Sequence, residues 1–415
     1  MTGAREPDER RALAGLAFDE LRRAPGGIWG MHRAIADRAF DATGVGALPA
    51  RMAHDTIANA AYSALGGAVS LLGRAADAAL SRRPEEGRVI SRSPAGSAVV
   101  AGVTGLIGDR LEAERSDLHQ PLAVRVGGAP VPPEPAALAA AFPGATPRLA
   151  VFLHGLMETE FSWRLGARAH GDTYGTRLVR DLACTPVYVR YNSGRHISQN
   201  GCDLSDVLDA VVAAWPVEVT EIALIGHSMG GLVARSACHG AAQANAPWVR
   251  RVRHVISLGS PHMGAPLEQA VHLASAALHA VPETRPFGSF LRRRSAGIRD
   301  LRQGSLVDED WKDRDPDALR AAACREVPLL EGATHCFVAA TITRSPRHPL
   351  GRLIGDWLVL EPSASGRGRT RRIPFKEEHG MHVGPATHFA LLNHPQVYER
   401  LRDWLTAPSR AADAA

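Results

Sequence analysis

The strongest constraint in this 415-residue chain is the run Glu221-Ile-Ala-Leu-Ile-Gly226-His227-Ser228-Met229-Gly230-Gly231-Leu-Val. Its apolar part, Ile222 to Ile225, predicts a buried strand, and Leu232 to His239 predicts an amphipathic helix. Between them, G-x-S-x-G leaves room only for a tight strand-to-helix turn. Gly226 and Gly230 lack the side chains that would crowd that turn, so Ser228 projects towards a cleft. The helix N-terminus behind it favours negative charge beside the hydroxyl. A serine hydroxyl is a poor nucleophile near neutral pH, so this reading requires a base and an oxyanion site elsewhere in the chain.

The surrounding pattern supplies a scaffold. Apolar runs at Leu149 to Leu153, Val187 to Tyr191, Val252 to Leu258 and Cys336 to Ile342 predict strands. Helical spacing is expected at Thr176 to Cys184, Leu204 to Trp215 and Pro395 to Leu405. Alternation of this kind predicts an α/β fold, a mainly parallel sheet with helices on both faces. Three segments follow. Residues 1–120 form a helical N-terminal extension, with helices expected at Ala12 to Arg23, Trp29 to Phe40 and Thr56 to Leu80. In it Gly102, Gly105 and Gly108 recur every third residue, as close helix packing requires. Residues 121–147 contain a short strand, Leu122 to Val126, and a Pro/Gly-rich connector. Residues 148–415 form the catalytic domain, interrupted around 266–330 by a helical insertion. Leu267, Val271, Leu273, Ala277 and Leu278 give that insertion apolar surface, and Arg292, Arg293 and Arg294 a basic knot. Both a mobile lid and a fixed cap fit this composition.

The strand at 149–153 ends in His154-Gly155-Leu156-Met157, which frees backbone N–H groups at the sheet edge. Leu156 N–H and Met229 N–H are the expected oxyanion donors, with His154 shaping the turn and Gly155, His227 and His262 lining the site. If the order is serine, acid, histidine, the acid and base lie C-terminal to Ser228. Asp356, in Gly355-Asp356-Trp357, and His388, before the last helix, are the expected pair. They are preferred over Asp300, Asp308 and Asp310, and over His379, His382 and His394. The polar loop Tyr191 to Gly201 is expected to brace the serine turn or line the site. The stretch Leu258 to Pro266 is expected to form a wall of the cleft.

Composition excludes several other classes. Hydrophobic residues at 45% and charged residues at 22% rule out a wholly disordered chain. A formal net charge of +5 demands no acidic partner. The only basic run near nucleic-acid style, Arg367, Arg369, Arg371 and Arg372, reads as a solvated loop, so no nucleic-acid partner is expected. Five cysteines without a Cys-x-x-Cys pair fit a reduced, cytoplasm-like setting and give no zinc pattern. Met1 to Arg11 carries both charge signs and leads into no secretory h-region. The longest uncharged run, Ile57 to Gly73, is 17 residues, short of the ~20 apolar residues of a membrane span. Contact with a membrane surface stays open, as does oligomeric state. Neither a metal nor a cofactor is expected.

Five stretches together carry a resemblance: GHSMGGL at 226–232, HGL at 154–156, LGSPHMGAPL at 258–267, GDWLV at 355–359 and HFALLNHP at 388–395. The chain from Leu149 to Leu405 resembles bacterial lipase-like α/β-hydrolases, in the branch that includes the catalytic domains of GPI inositol-deacylases. Ser260 stands where such lipases usually have threonine, and Trp357 where glycine is common. The resemblance implies an eight-stranded type of sheet, a Ser228–His388–Asp356 triad and cofactor-free hydrolysis of a small-molecule or lipid ester through an acyl-enzyme. Acyl transfer would use the same residues. A non-catalytic partner-binding scaffold would be expected to have lost Ser228 or His388, and both are present.

Overall fold

Along β3 (Arg148–Leu153) successive side chains part to opposite faces, as the twofold strand period dictates. Leu149, Val151 and Leu153 enter one core, and Ala150 and Phe152 enter the other. A strand apolar on both sides must be covered on both sides, so the sheet lies between two helical layers. A computed structural model describes residues 8–19, 52, 55, 89–265, 294–315, 324–368 and 371–407. The expected helices at Trp29 to Phe40 and Thr56 to Leu80 lie outside the described residues, as does the Ile57 to Gly73 run.

The chain divides into two compact units: Met1–Ile90 with Glu114–Leu118 and Ala270–Arg294, and Ser91–Ala113 with His119–Gln269 and Ser295–Ala415. In the first, residues 9–19 are helical. The carboxylate of Asp8 caps them by accepting the Arg11 N–H at 3.1 Å. The second unit holds the sheet. Its strands are β1 (Ala123–Val126), β2 (Ala129–Val131), β3, β4 (Thr185–Arg190), β5 (Glu221–His227), β6 (Val252–Leu258), β7 (Thr334–Ala340) and β8 (Gly380–Val383). Their order is β2-β1-β4-β3-β5-β6-β7-β8. The six strands from β4 to β8 run parallel, and β1 and β2 make an antiparallel edge. This is the α/β-hydrolase arrangement.

The helices of this unit are α1 (Pro94–Ala113), α2 (Pro135–Ala141), α3 (Ala167–His170), α4 (Tyr174–Leu182), α5 (Ile197–Ala214), α6 (Met229–Ala244), α7 (Ala296–Leu301), α8 (Pro349–Ile354), α9 (Glu361–Ala364) and α10 (Pro395–Thr406). Leu204 and Leu208 of α5 and Leu232 and Val233 of α6 cover one face of the sheet. Leu178 of α4 and Val397, Tyr398 and Leu401 of α10 cover the other. The boundaries expected at 120 and 147 differ from these units. Helix α1 goes with the sheet rather than with the N-terminal extension, and the connector supplies β2 and α2. The small residues of α1 explain the first difference: a Cβ on Gly105 would collide with Met157, and one on Gly108 with Asn192. The close packing expected of this glycine series therefore holds at two of its three positions, since Gly102 has nothing within 4 Å.

Of the insertion, residues 294–315 and 324–330 are described, and they are tied down. Ser295 Oγ donates to Gly105 O at 2.6 Å, Gly297 N to Gly194 O at 3.1 Å, and Asp300 accepts Ile197 N–H at 2.8 Å. These bonds join the start of this part to α1 and to the 191–201 loop. The apolar stretch from Leu267 to Leu278, with Arg292 and Arg293, lies outside the described residues.

Candidate active site

All parallel strands release the chain at the same edge, where open α/β sheets carry their sites. His154 follows β3, Tyr191 follows β4, Ser228 follows β5, and Gly259 follows β6. Asp356 comes after β7 and His388 after β8. The sheet therefore gathers residues spread over more than 230 positions.

Ser228 holds φ +52° and ψ −121°, between β5 and α6. A non-glycine residue there is strained, and the surroundings enforce it. A Cβ on Gly226 would sit 2.3 Å from the backbone of Gly230, and one on Gly230 would sit 2.3 Å from Leu153 O. The turn is thus wedged against the end of β3, and Ser228 N–H donates to Leu258 O at 2.8 Å. The Ser228 residue is half-buried.

His388 and Asp356 come together in the interior. Nδ1 of His388 lies 2.7 Å from Asp356 Oδ2, with the two side chains 2% and 1% exposed. The other oxygen, Oδ1, accepts the N–H groups of Leu358 at 3.0 Å and Val359 at 2.8 Å. The backbone N–H of His388 donates to Asp356 O at 2.9 Å. A carboxylate so held keeps the proton on Nδ1 and leaves Nε2 as the basic nitrogen. That Nε2 is buried and has no hydrogen bond among the described residues. Its ring packs at Gly259, where a Cβ would lie 3.1 Å from Cε1. Gly259 has φ +63°, and Leu258 beside it holds Ser228, so one turn abuts both residues. The stretch from Leu258 is a wall here.

On the other side, a Cβ on Gly155 would touch Cβ of Ser228 at 3.0 Å. Leu156 N–H and Met229 N–H have no acceptor among the described residues. His154 is fully used in shaping this turn. Its Nε2 accepts Tyr191 N–H at 3.2 Å, so Nδ1 donates to Gly155 O at 2.8 Å, and its ring stacks on Tyr191 at 4.2 Å. Burial pulls its pKa down to about 4, which keeps it neutral.

One residue escaped the sequence reading. Glu158 lies 2.9 Å from His227 Nδ1, with the two side chains 9% and 0% exposed. It also accepts Gly155 N–H at 2.9 Å. Burial disfavours its charge, but His227 and Gly155 prevail and hold it down to about 2. Burial likewise opposes the imidazolium of His227, and Glu158 outweighs it, so the His227 pKa is raised. The far nitrogen, Nε2, donates to the carbonyl of His388 at 3.3 Å. His227 therefore links the His-Gly turn to the loop of His388. An acid four residues after His154 is the only sequence trace of it.

The remaining candidates are placed elsewhere. His262 is completely buried against Arg235 and Phe375. His382 pairs with Thr341 Oγ1 at 2.9 Å, Asp300 with His196, and Asp308 with Lys312 and Ser198. The 191–201 loop braces the Met157 turn and α1 more than Ser228: Ser193 Oγ accepts Met157 N–H at 3.1 Å, and Asn192 Nδ2 donates to Gly108 O at 2.9 Å. Arg371 corrects the solvated-loop expectation, since its guanidinium donates to His262 O at 2.7 Å and Gln303 O at 3.1 Å. Among the described residues there is no group of three or more metal-ligating side chains, and no helix is long and apolar enough to cross a membrane. The five cysteines form no disulfide.

Residues 202–307 match the family model described as "PGAP1-like alpha/beta domain". No curated protein matches the sequence. The structure is similar to the propeptide form of the lipase BlEst2 of Bacillus licheniformis, at 16% identity and TM-score 0.43, over 70% of this chain and 55% of that one. The mature form of that lipase matches at 17% identity and TM-score 0.40, over 69% and 100%. EstA of Clostridium botulinum matches at 14% identity and TM-score 0.38, over 64% and 89%. The family match falls mostly within the sheet-bearing unit, whose strand order is that of an α/β-hydrolase fold.

Proposed function

We propose that the protein is a serine hydrolase of carboxylic esters, with Ser228 as nucleophile, His388 as general base and Asp356 as its orienting carboxylate. The observation that carries this reading is the buried Asp356–His388 pair, 2.7 Å apart, whose outer nitrogen is unengaged beside the turn that presents Ser228. His388 Nε2 takes the hydroxyl proton as Ser228 Oγ bonds to the ester carbonyl carbon. Leu156 and Met229 N–H groups stabilise the oxyanion. Collapse expels the alcohol, which receives the proton from His388, and leaves an acyl-serine. Water, deprotonated by His388, repeats the attack and releases the acid.

Apolar side chains beside the pair favour an acyl substrate. Phe389 is 48% and Trp357 62% exposed, and the Phe389 ring centre lies 5.7 Å from that of His388. Five free cysteines agree with a reduced, cytoplasmic setting. Labelling by a fluorophosphonate probe tests the reading. The wild type is expected to label and Ser228→Ala to remain unlabelled. A folded wild type that does not react would remove the serine-hydrolase assignment.

A further inference from the structure

His227 lies between two pieces of backbone that the proposed chemistry uses. On one side stands Glu158, whose carboxylate accepts Gly155 N–H at 2.9 Å and whose own N–H donates to Gly155 O at 3.3 Å. Both contacts brace the turn that carries Leu156 N–H. On the other side is the peptide of the base. Asp356 holds the ring and the backbone N–H of His388, while the His388 carbonyl is held by His227 Nε2 at 3.3 Å.

The partners fix the protons of His227. A carbonyl only accepts, so Nε2 carries one. Nδ1 lies 2.9 Å from Glu158. Burial works against the Glu158 charge, but His227 and Gly155 hold its pKa down to about 2, so the acid is ionised and Nδ1 is protonated too. A neutral ring that kept its bond to His388 would turn a lone pair on this carboxylate. Around His227, which is 0% exposed, the rings of Trp163, Phe389 and His388 lie at 6.4, 6.1 and 4.7 Å. Little water screens the pair. The other titratable groups acting on it are His154, which is neutral, and Asp356, which favours the imidazolium.

We propose that Glu158 and His227 are a positioning pair for the ester hydrolysis, a charged link that fixes the spacing between the oxyanion turn and the base. The inference rests on the serine-hydrolase reading. Neither residue touches the ester: Glu158 acts through Gly155, and His227 through His388. Their loss is therefore felt in transition-state geometry more than in substrate binding.

Glu158→Gln keeps an acceptor for Gly155 and removes the charge that holds His227. Kinetics on a p-nitrophenyl ester, with active sites counted by fluorophosphonate labelling carried to completion, give kcat per competent site. A fall of ~10–100-fold at neutral pH is expected, with KM within a factor of ~3. His227→Asn should fall as far and the double variant no further, because the two act as one link. Since Glu158 raises the His227 pKa, the charged link is present below that value and lost as pH rises through it. Wild-type kcat should therefore decline at alkaline pH, and Glu158→Gln should move that decline to lower pH. A merely structural Glu158 would reduce the number of labelled sites and leave kcat per site and the pH profile unchanged, which overturns the proposal. A folded wild type that does not label removes the serine-hydrolase reading and the pair's role with it. If neither variant folds, NMR of the His227 ring nitrogens in the wild type decides: a doubly protonated ring at neutral pH upholds the link, and a neutral ring overturns it.

Discussion

Glu158→Ala removes a carboxylate that holds two separate pieces of the site edge, the Gly155 N–H at 2.9 Å and His227 at 2.9 Å. The acid falls from an ordinary 4.5 to about 2 on folding, and its side chain is only 9% exposed. At ~1.4 kcal/mol per pH unit, the interactions of the ionised form contribute about 3 kcal/mol at pH 7. Because the folded-state value is depressed, this stability is complete above the unfolded value and fades as pH falls through the folded one. At pH 3 about 1.4 kcal/mol should remain. Urea unfolding of wild type and variant at pH 7, 4 and 3 measures the difference directly. The expected result is a gap of about 3 kcal/mol that narrows with acidification. A gap below ~1 kcal/mol at pH 7, or one unchanged at pH 3, would refute the ion pair. Glu158→Gln keeps an acceptor for Gly155 and loses the charge, so it should fall between the two.

Asp356→Asn should leave the fold intact and lower turnover by ~10³–10⁴, because an amide no longer fixes the proton on Nδ1 of His388. Asp308→Asn, whose carboxylate serves Lys312 and Ser198, should keep turnover within a factor of ~3 as measured on the same ester. Glu160→Gln breaks a bidentate pair with Arg190, two contacts of 2.6 Å between side chains 6% and 3% exposed, and should cost ~3 kcal/mol in urea unfolding. The lower end of the usual range applies because Arg190 keeps Ser91 O and Gln120 as acceptors. Across p-nitrophenyl esters of increasing length, kcat/KM should rise from acetate to longer acyl chains, and Phe389→Ala should flatten that profile. A preference for acetate in the wild type would count against acyl recognition by Phe389.

Local features were the legible ones. Gly226, Ser228 and Gly230 announce their turn because the geometry is imposed within five residues, and both glycines prove to be needed by backbone contacts. Strands β3, β5 and β6 were visible from compact apolar runs. Helix α5 begins at Ile197, seven residues before the apolar periodicity starts, because only polar or small residues separate the core residue Ile197, whose N–H Asp300 accepts, from Leu204. Strand β8, Gly-Met-His-Val, is too short to show a period and depends on pairing with β7. Glu158 could not be singled out because its partner His227 is 69 positions away, and a lone acid beside a turn has no signature. For the same reason Arg371 looked like part of a solvated run until its carbonyl partners were in view.

The order in which the sheet edge is filled also has a consequence in time. The serine turn can be wedged in place once β3, β5 and β6 exist, whereas His388 follows by 160 residues. At ~5–20 residues per second, a ribosome needs roughly 8–30 s to cover that distance. Asn393, buried just beyond, donates to Trp163 O and Leu165 O and accepts Tyr174 N–H, and Arg148 reaches Leu405 O at 2.8 Å. The last strand and helix therefore lock against segments made long before. Under the proposed mechanism, a chain that has not yet closed these last segments holds Ser228 without its base, and reactivity arrives only with the closing of the fold.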